Sequence, residues 1–292
     1  MRTAAKAITP GQMLFMGVDG GGTSCRARIR SPDGACLAES QGGAANIYQD
    51  FAGAIAVIMA TAQACADKAG VPLQQLHAGF GLAGVTDPKQ GARVQAAGLP
   101  FARLRVESDS YIACLGAHGG GDGGIVIAGT GSAGLALIEG ARRHIGGHGF
   151  MLGDPGSGAV IGRAALREAL LCADGLHPAT PLTDALMARF DHDTTAVVEW
   201  SRTALSRDYA QFAPLVVAAA NAGDAIATPI IMQAVHDLGA IARRLKALGA
   251  PRISLIGSFG TALLPFFERD LAVLFEPPLA DPLDGAIAMV QK

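Results

Sequence analysis

Two glycine-rich turns carry the groups of this chain that are best suited to chemistry. In the first, the residues in order are Asp19, Gly20, Gly21, Gly22 and Thr23, between the apolar runs 13–18 and 27–29. Consecutive glycines expose backbone N–H groups, and a polyanion can approach them closely because no side chain intervenes. The acidic residue before the turn and the hydroxyl after it complete a predicted Mg²⁺–phosphate site. The alternative is a plain type I′ turn that binds nothing.

A second turn of the same kind strengthens the phosphate interpretation. It comprises Gly129, Thr130, Gly131 and Ser132, between the apolar segments 124–128 and 133–138. A third glycine cluster, which begins with Gly257 and Ser258, follows the strand pattern 253–256 where an adenosine pocket is expected. Two strand–turn–strand units about a hundred residues apart predict two related domains that face each other across a nucleotide.

These three motifs, in this order, resemble those of the sugar kinase/actin/heat-shock ATPase superfamily over most of the chain. Within it, the chain is most similar to the bacterial glucosamine kinase and N-acetylglucosamine kinase family, of the BadF/BadG/BcrA/BcrD ATPase type. The stretches that carry this resemblance are Gly43–Asn46, Gly81–Gly84, Ser108–Ser110, Gly146–Gly149 and Gly153–Gly158. The resemblance implies transfer of phosphate from ATP, with Mg²⁺, to the 6-hydroxyl of an amino sugar.

The resemblance also implies roles for individual residues. Asp109 follows the predicted strand 104–107, and a carboxylate at the end of such a strand opens onto the ligand cleft. It is the implied catalytic base, with a helix N-cap as its alternative role and Glu107 as a weaker rival base. Asp19 is implied to hold Mg²⁺ through water. The implied nucleotide ligands are the two turns together with Gly257 and Ser258, and the implied sugar ligands are Asn46, Gly146, Gly147 and Asp154.

The identity of the sugar is open among glucosamine, N-acetylglucosamine and N-acetylmannosamine. The animal family member carries Trp where this chain has His148, and Glu where it has Pro155. An acetamide methyl needs an apolar wall, so the loss of the aromatic residue favours free glucosamine. The stretches Gly20–Ile29 and Gly116–His118 also look more like the bacterial glucosamine kinases.

The order of predicted elements indicates an α/β fold of two ribonuclease-H-like (actin-like ATPase) domains. Residues 13–118 follow the order β-β-β-α-β-α-β-α, and a closing helix at 282–292 is expected to pack on this first domain. The second domain, 119–281, repeats the strand pattern and contains a helical insertion at about 181–248. Its first residues are the glycine cluster 119–124, which marks the boundary.

Three local features are also predicted within these domains. A helix is expected directly after Asp154–Pro155, because proline is favoured at an early helical position, and Asp154 is then its possible N-cap. Leu271–Leu274 is expected as a strand. Gly21 is expected to need a positive φ.

Composition excludes several classes of partner. The net charge of −2 provides no polyanion-binding surface, so a nucleic-acid partner is not expected. No apolar stretch is long enough for a membrane span. Five scattered cysteines without a C-x-x-C motif predict reduced thiols in the cytoplasm. We expect a small-molecule amino sugar as the partner, and the family resemblance suggests a homodimer.

Two other functions are compatible with the motifs. Activator ATPases of 2-hydroxyacyl-CoA dehydratases share both turns, but they hold an iron–sulfur cluster through cysteines in a local glycine context. No cysteine of this chain is followed by glycine. A non-catalytic sugar sensor on the same fold is the second alternative, and the presence of Asp109 argues against it.

Overall fold

The computed structural model describes residues 12–291, which hold nine β-strands and twelve α-helices. The strands are β1 Leu14–Gly20, β2 Cys25–Arg30, β3 Cys36–Gly42, β4 Leu76–Leu82, β5 Arg103–Ser108, β6 Gly123–Ala128, β7 Ser132–Ile138, β8 Ala141–Gly146 and β9 Ile253–Ile256. The helices are α1 Phe51–Ala69, α2 Pro88–Gln95, α3 Asp109–Ala117, α4 Gly158–Ala173, α5 Pro181–Met187, α6 Thr194–Ser201, α7 Ser206–Ala210, α8 Ala213–Asn221, α9 Ala227–Ala247, α10 Ser258–Leu263, α11 Arg269–Ala272 and α12 Pro282–Gln291. The predicted α/β class is confirmed.

The chain divides into two compact units, each with its own sheet. Unit 1 runs to Gly123 and resumes at Pro278, and unit 2 comprises Gly124–Pro277. The boundaries between the units fall after residues 123 and 277, whereas the sequence predicted them after residues 118 and 281. The first division lies later because the glycine cluster hydrogen-bonds back to the end of α3 and therefore belongs to unit 1.

Unit 1 is built on a five-stranded sheet in the order β3-β2-β1-β4-β5. The β1–β2 and β2–β3 pairs are antiparallel, whereas β1–β4 and β4–β5 are parallel. Parallel neighbours require crossover connections, and the helices α1 and α2 lie in them. Because β1, β4 and β5 run in the same direction, their carboxyl ends lie along one edge of the sheet.

Strand β2 shows how the sequence assigns side chains to the two faces of this sheet. The residues that enter the core are Cys25, Ala27 and Ile29, and those between them are Arg26, Arg28 and Arg30. A strand has a period of two, so the arginines share the opposite face. There, Arg28 Nη1 donates to Asp281 Oδ1 at 2.8 Å and Arg30 Nε donates to Asp284 Oδ1 at 2.6 Å. These ion pairs fasten the start of α12 to the sheet.

Replacing Arg28 with alanine should lower the free energy of unfolding by about 2 kcal/mol, the scale of hydrogen bonds to charged groups. Burial alone would raise the pKa of Asp284, but Arg30 and Arg28 hold it below its ordinary value. The stabilisation is therefore present above the pKa of an unfolded aspartate and is lost as the pH falls through the lower folded pKa. Urea unfolding at neutral and acidic pH measures both effects. Arg143→Ala, at an exposed arginine of β8, is the control, and equal losses in the two variants would contradict this role of Arg28.

Unit 2 contains a four-stranded sheet in the order β8-β7-β6-β9. The β7–β8 pair is antiparallel and the β6–β9 pair is parallel. Helices α4 to α9 lie between β8 and β9 in the chain, and α5 to α9 occupy the region where the helical insertion was predicted. The core of this unit joins the sheet to α4, α8 and α9 through small aliphatic side chains such as Val126, Ala165 and Leu238.

The strand predicted at Leu271–Leu274 is wrong. Its first two residues end the short helix α11, in which the Ala272 N–H donates to the Glu268 carbonyl at 2.8 Å. The extended contact comes one residue later, where Phe275 forms an isolated parallel bridge with Ile253. The apolar pattern is compatible with either structure over so few residues, and the local helical hydrogen bond decides between them.

The helix predicted directly after Asp154–Pro155 begins at Gly158 instead. Ser157 is its N-cap, and the Ser157 hydroxyl accepts the Val160 N–H at 3.3 Å. The alternative of Asp154 as an N-cap is therefore wrong. Asp154 and Pro155 lie in the loop before the helix, which leaves the carboxylate of Asp154 for other contacts.

Candidate active site

Unit 1 brings its two acidic candidates to the carboxyl ends of parallel strands. Asp19 is the penultimate residue of β1, and Asp109 directly follows β5. Strand β4 lies between them, so the two backbones are about 10 Å apart at the usual strand spacing. Both carboxylates therefore stand at the edge of the sheet where α/β folds place ligands.

Asp109 is the first residue of α3 but not its N-cap. The cap is Ser108, whose hydroxyl accepts the Tyr111 N–H at 3.2 Å, so the N-cap alternative for Asp109 is wrong. Burial raises the pKa of Asp109 above its ordinary value, the N–H of Ser110 opposes this, and the charge of Asp19 raises it further. A half-buried carboxyl with a raised pKa is suited to accept a proton from a substrate.

Asp19 has a cationic neighbour that sequence reasoning missed. Arg26 lies directly opposite it in the β1–β2 register, and Arg26 Nη2 donates to Asp19 Oδ2 at 2.6 Å. The Asp19 side chain is 18% exposed, and its Oδ1 makes no hydrogen bond to the residues that the structure describes. One carboxylate oxygen is fixed, and the other is left to meet a hydrated cation.

The first glycine turn is tight, but its backbone differs from the prediction. The Gly21 N–H donates to the Ser24 carbonyl at 2.8 Å, which closes a four-residue turn. None of the residues 20–23 has a positive φ, so both the type I′ alternative and the positive φ expected at Gly21 are wrong. A Cβ on Gly22 would meet nothing within 4 Å, and Thr23 is exposed. The open space is what the approach of a phosphate requires.

The loop that carries Asn46 is hydrogen-bonded to this turn. The Ala45 N–H donates to the Gly21 carbonyl at 2.9 Å, and the Ile47 N–H is bonded to the segment that follows β4. Asn46 Oδ1 accepts the Tyr48 N–H at 2.9 Å, so its side-chain carbonyl orients the loop and its NH₂ group can donate elsewhere. The implied sugar ligand is thus joined to the first turn within unit 1.

The second glycine turn joins β6 to β7 and is fastened to the start of α4. The Gly158 N–H donates to the Gly129 carbonyl at 2.9 Å. Ser132 is buried, and its hydroxyl donates to the Pro155 carbonyl at 2.6 Å, so this side chain supports the turn from within. Thr130 is exposed, so its hydroxyl is accessible from solvent.

Asp154 connects this turn to the glycine-rich loop that follows β8. It is 8% exposed and has a φ of 57°, a left-handed conformation that is uncommon outside glycine. Burial raises its pKa, and the N–H groups of Gly149 and Ser132 and the nearby His148 lower it. A Cβ on Gly131 would lie 2.7 Å from Asp154 Oδ2, so glycine is required at that contact.

The glycine-rich loop after β8 contains glycines with an exposed backbone and one aromatic residue, Phe150, that packs against a helix. Gly146 and Gly147 both adopt left-handed conformations, with φ of 69° and 71°. Phe150 packs on Tyr209 with ring centroids 5.0 Å apart, and the Arg163 guanidinium lies 4.8 Å from the Phe150 ring. Phe150 fixes the end of the loop, while the glycines present main-chain polar groups without side chains over them.

A cavity of about 500 Å³ lies beside the second turn, entirely within unit 2. Gly129 and Thr130 of the turn and Ser258 at the start of α10 contribute to its lining. The structure thus brings three of the implied nucleotide ligands to one mostly apolar space of a size that suits a nucleoside.

One wall of this cavity is a face of α8 that sequence reasoning missed. The residues of that face are Pro214, Val217, Ala218 and Asn221. Their spacing of three, four and seven residues is that of a single helical face. The spacing was visible in the sequence, but which element this face would meet depends on tertiary packing.

Comparison with known proteins supplies a family for this arrangement. Residues 16–263 match the profile of the BadF/BadG/BcrA/BcrD ATPase family. The chain is 37% identical to glucosamine kinase GspK of Vibrio cholerae over 281 residues, which covers 95% of this chain and 96% of that protein. It is 28% identical to N-acetyl-D-glucosamine kinase of Dictyostelium discoideum, over 77% of this chain and 76% of that protein.

A solved structure agrees with these sequence matches. A protein of Chromobacterium violaceum, provisionally named N-acetylglucosamine kinase, superposes with a TM-score of 0.89 at 35% identity, over 97% of this chain and 100% of the other. The family resemblance drawn from the motifs is thereby confirmed. The chain belongs to the BadF/BadG/BcrA/BcrD ATPase family.

Proposed function

We propose that this protein is an ATP-dependent hexosamine kinase that phosphorylates the 6-hydroxyl of an amino sugar, with glucosamine as its preferred substrate. The observation that carries the proposal is Asp109, a half-buried carboxyl with a raised pKa at the carboxyl end of a parallel strand. The similarity to a glucosamine kinase over 95% of the chain, and to an N-acetylglucosamine kinase over 77% of it, supports the same reaction. It favours a kinase over a dehydratase activator or a sugar sensor.

Phosphoryl transfer needs positioned phosphates, an aligned alcohol and a group that takes its proton. In this proposal Asp109 accepts the proton of the sugar 6-hydroxyl. In unit 1 the N–H groups of Gly22 and Thr23 donate hydrogen bonds to the phosphates, while Gly20 and Gly21 let them approach the backbone. In unit 2 the exposed Thr130 donates to a phosphate, and the cavity beside α8 holds the nucleoside. Asn46, Gly146, Gly147 and Asp154 bind sugar hydroxyls, and the carboxylate of Asp154 also orients the loop that presents the glycines.

The residues of unit 1 fit a magnesium ion. Mg²⁺ retains several waters and is usually held by one or two carboxylates together with substrate phosphates. Asp19 has one oxygen without a hydrogen bond to any residue in the described part of the chain, and its charge lies near that of Asp109. No cluster of three or more His, Cys, Asp or Glu side chains suited to a metal occurs among residues 12–291, so the phosphates are expected to supply the remaining ligands. When bound, the ion would offset phosphate charge.

Glucosamine should be used with a kcat/KM at least about tenfold above that for N-acetylglucosamine, a difference of about 1.4 kcal/mol. Near neutral pH much of the free sugar is an ammonium ion, which suits a polar pocket. His148 is exposed in the glycine-rich loop, at the position where the animal pattern has an aromatic wall for the acetyl methyl. Coupled-assay kinetics with glucosamine, N-acetylglucosamine, N-acetylmannosamine and glucose measure the preference.

A variant sharpens this test. His148→Trp introduces the aromatic residue of the animal pattern. It should raise kcat/KM for N-acetylglucosamine and so bring the specificity constants of the two sugars closer together. Arg143→Ala, on β8 before the loop, should leave the ratio unchanged. Equal or reversed specificity constants in the wild-type enzyme would refute the glucosamine preference, while a kinase active on another hexosamine would still stand.

The remaining expectations belong to the same proposal. Location in the cytoplasm is supported by ATP as the co-substrate and by five cysteines that are all free thiols. No helix within residues 12–291 is both long and apolar enough to cross a bilayer. A homodimer and the absence of a nucleic-acid partner stay predictions.

A further inference from the structure

The cavity beside the second turn has few polar side chains. Thr130 and Ser258 lie where the turn and the start of α10 meet it, and Asn221 is the last residue of α8. The rest of its lining consists of glycine, alanine, proline, valine and phenylalanine residues. A ligand in this space therefore meets a single side-chain amide.

The position of Asn221 suits a nucleobase rather than a phosphate. Gly158, which is hydrogen-bonded to Gly129, lies against the first turn of α8, since a Cβ on Gly158 would be 3.5 Å from that of Ala213. Asn221 is eight residues further along the helix, about 12 Å at a rise of 1.5 Å per residue. A nucleotide with its phosphates at the turn and its ribose along α8 would bring its base to Asn221.

The amide of Asn221 is available for such a contact. Its side chain is exposed and forms no hydrogen bond with the residues that the structure describes. An asparagine amide offers two donors and one acceptor oxygen from one plane. A base with the wrong pattern would set an acceptor against the amide oxygen or a donor against the NH₂ group, and it would lose the paired contact.

We propose that Asn221 recognises the N6/N7 edge of adenine and makes the enzyme prefer adenine over guanine nucleotides, an inference that rests on the proposed use of a nucleotide. The Asn221 carbonyl accepts from the adenine N6 amino group, and its NH₂ donates to N7. Guanine presents O6 and N7 on that edge, two acceptors, so the carbonyl of the amide would face another oxygen. A bidentate contact of this kind corresponds to at least about a fivefold discrimination between bases.

Binding of ADP and GDP to the complete protein by titration calorimetry tests this without any sugar. The wild type should bind ADP at least about fivefold more tightly than GDP. Asn221→Leu should weaken ADP binding and leave GDP nearly unchanged, so that the ratio approaches one. Asn221→Lys should favour GDP, because an ammonium donates to the two acceptors of guanine. Gln63→Leu, which removes an amide from the exposed face of α1 in unit 1, should change neither affinity.

The outcomes separate this inference from the proposed kinase activity. A wild-type ADP:GDP ratio near one, or an unchanged ratio in a folded Asn221→Leu variant, would overturn the role of Asn221. A protein that shows the predicted ratios yet phosphorylates no amino sugar would retain this inference and lose the kinase proposal. Failure to bind either nucleotide would overturn both.

Discussion

Asp109→Asn should lower kcat for amino-sugar phosphorylation by about a hundredfold or more, the usual scale for the loss of a general base. Asparagine keeps the size of the side chain but cannot accept the sugar proton. The Ser108 cap of α3 is untouched, so the variant should fold. ADP affinity, measured by calorimetry, should stay within about twofold of the wild type because the loss is confined to the chemical step.

The control for this variant is the neighbouring carboxylate. Glu107→Gln should keep most of the activity, since Glu107 lies within β5 and Asp109 lies beyond its end. The wild-type kcat/KM should also fall as the pH drops through the raised pKa of Asp109, because only the ionised carboxylate accepts a proton. The residual kcat/KM of Asp109→Asn should not show this fall at low pH. A near-normal kcat in the folded variant would remove Asp109 from the mechanism.

Gly257→Ala should weaken ADP binding by at least about tenfold and destabilise the segment between β9 and α10. Gly257 has a φ of 100°, a conformation that costs an alanine about 1–3 kcal/mol. A Cβ there would also overlap the carbonyl oxygen of Ala128, at the end of β6. Relief of the overlap must move Ser258 or the second turn, and both line the nucleoside cavity. Calorimetry and thermal unfolding measure the two effects.

Gly260→Ala is the matched control for Gly257→Ala. Gly260 lies within α10, has no positive φ, and a Cβ there would be 3.0 Å or more from the side chains of Leu255 and Ala128. Those contacts are tight but involve side chains that can adjust by a few tenths of an ångström. If both variants bind ADP alike, the conformation of Gly257 does not shape the cavity.

Features with local causes could be predicted from the sequence. Glycines flanked by apolar runs located the turns at Gly20–Thr23 and Gly129–Ser132, and the helical pattern placed the end of the insertion at about residue 248, one residue beyond the end of α9. Asp109 could be placed at a strand end because the apolar segment stops there. These predictions needed no partner from elsewhere in the chain.

Other features depend on tertiary packing or on a choice between equal local options. Ser108 and Asp109 are both good N-caps, and the choice depends on where β5 ends. The pairing of Asp19 with Arg26 follows from strand register. The conformation of Gly21 is set by the bond from its N–H to Ser24, and the turn does not need the positive φ that a glycine run suggests. Both depend on how β1 pairs with β2, which the glycine content of the turn does not specify.

The most direct test of the account is to identify the product formed from ATP, Mg²⁺ and glucosamine by the wild-type protein. Phosphorus NMR of the reaction mixture should show ADP and glucosamine 6-phosphate appearing in equal amounts, with little ADP formed when the sugar is omitted. Release of ADP and inorganic phosphate at the same rate with and without sugar would contradict the account. So would the absence of any phosphorylated hexosamine from reactions with glucosamine, N-acetylglucosamine and N-acetylmannosamine.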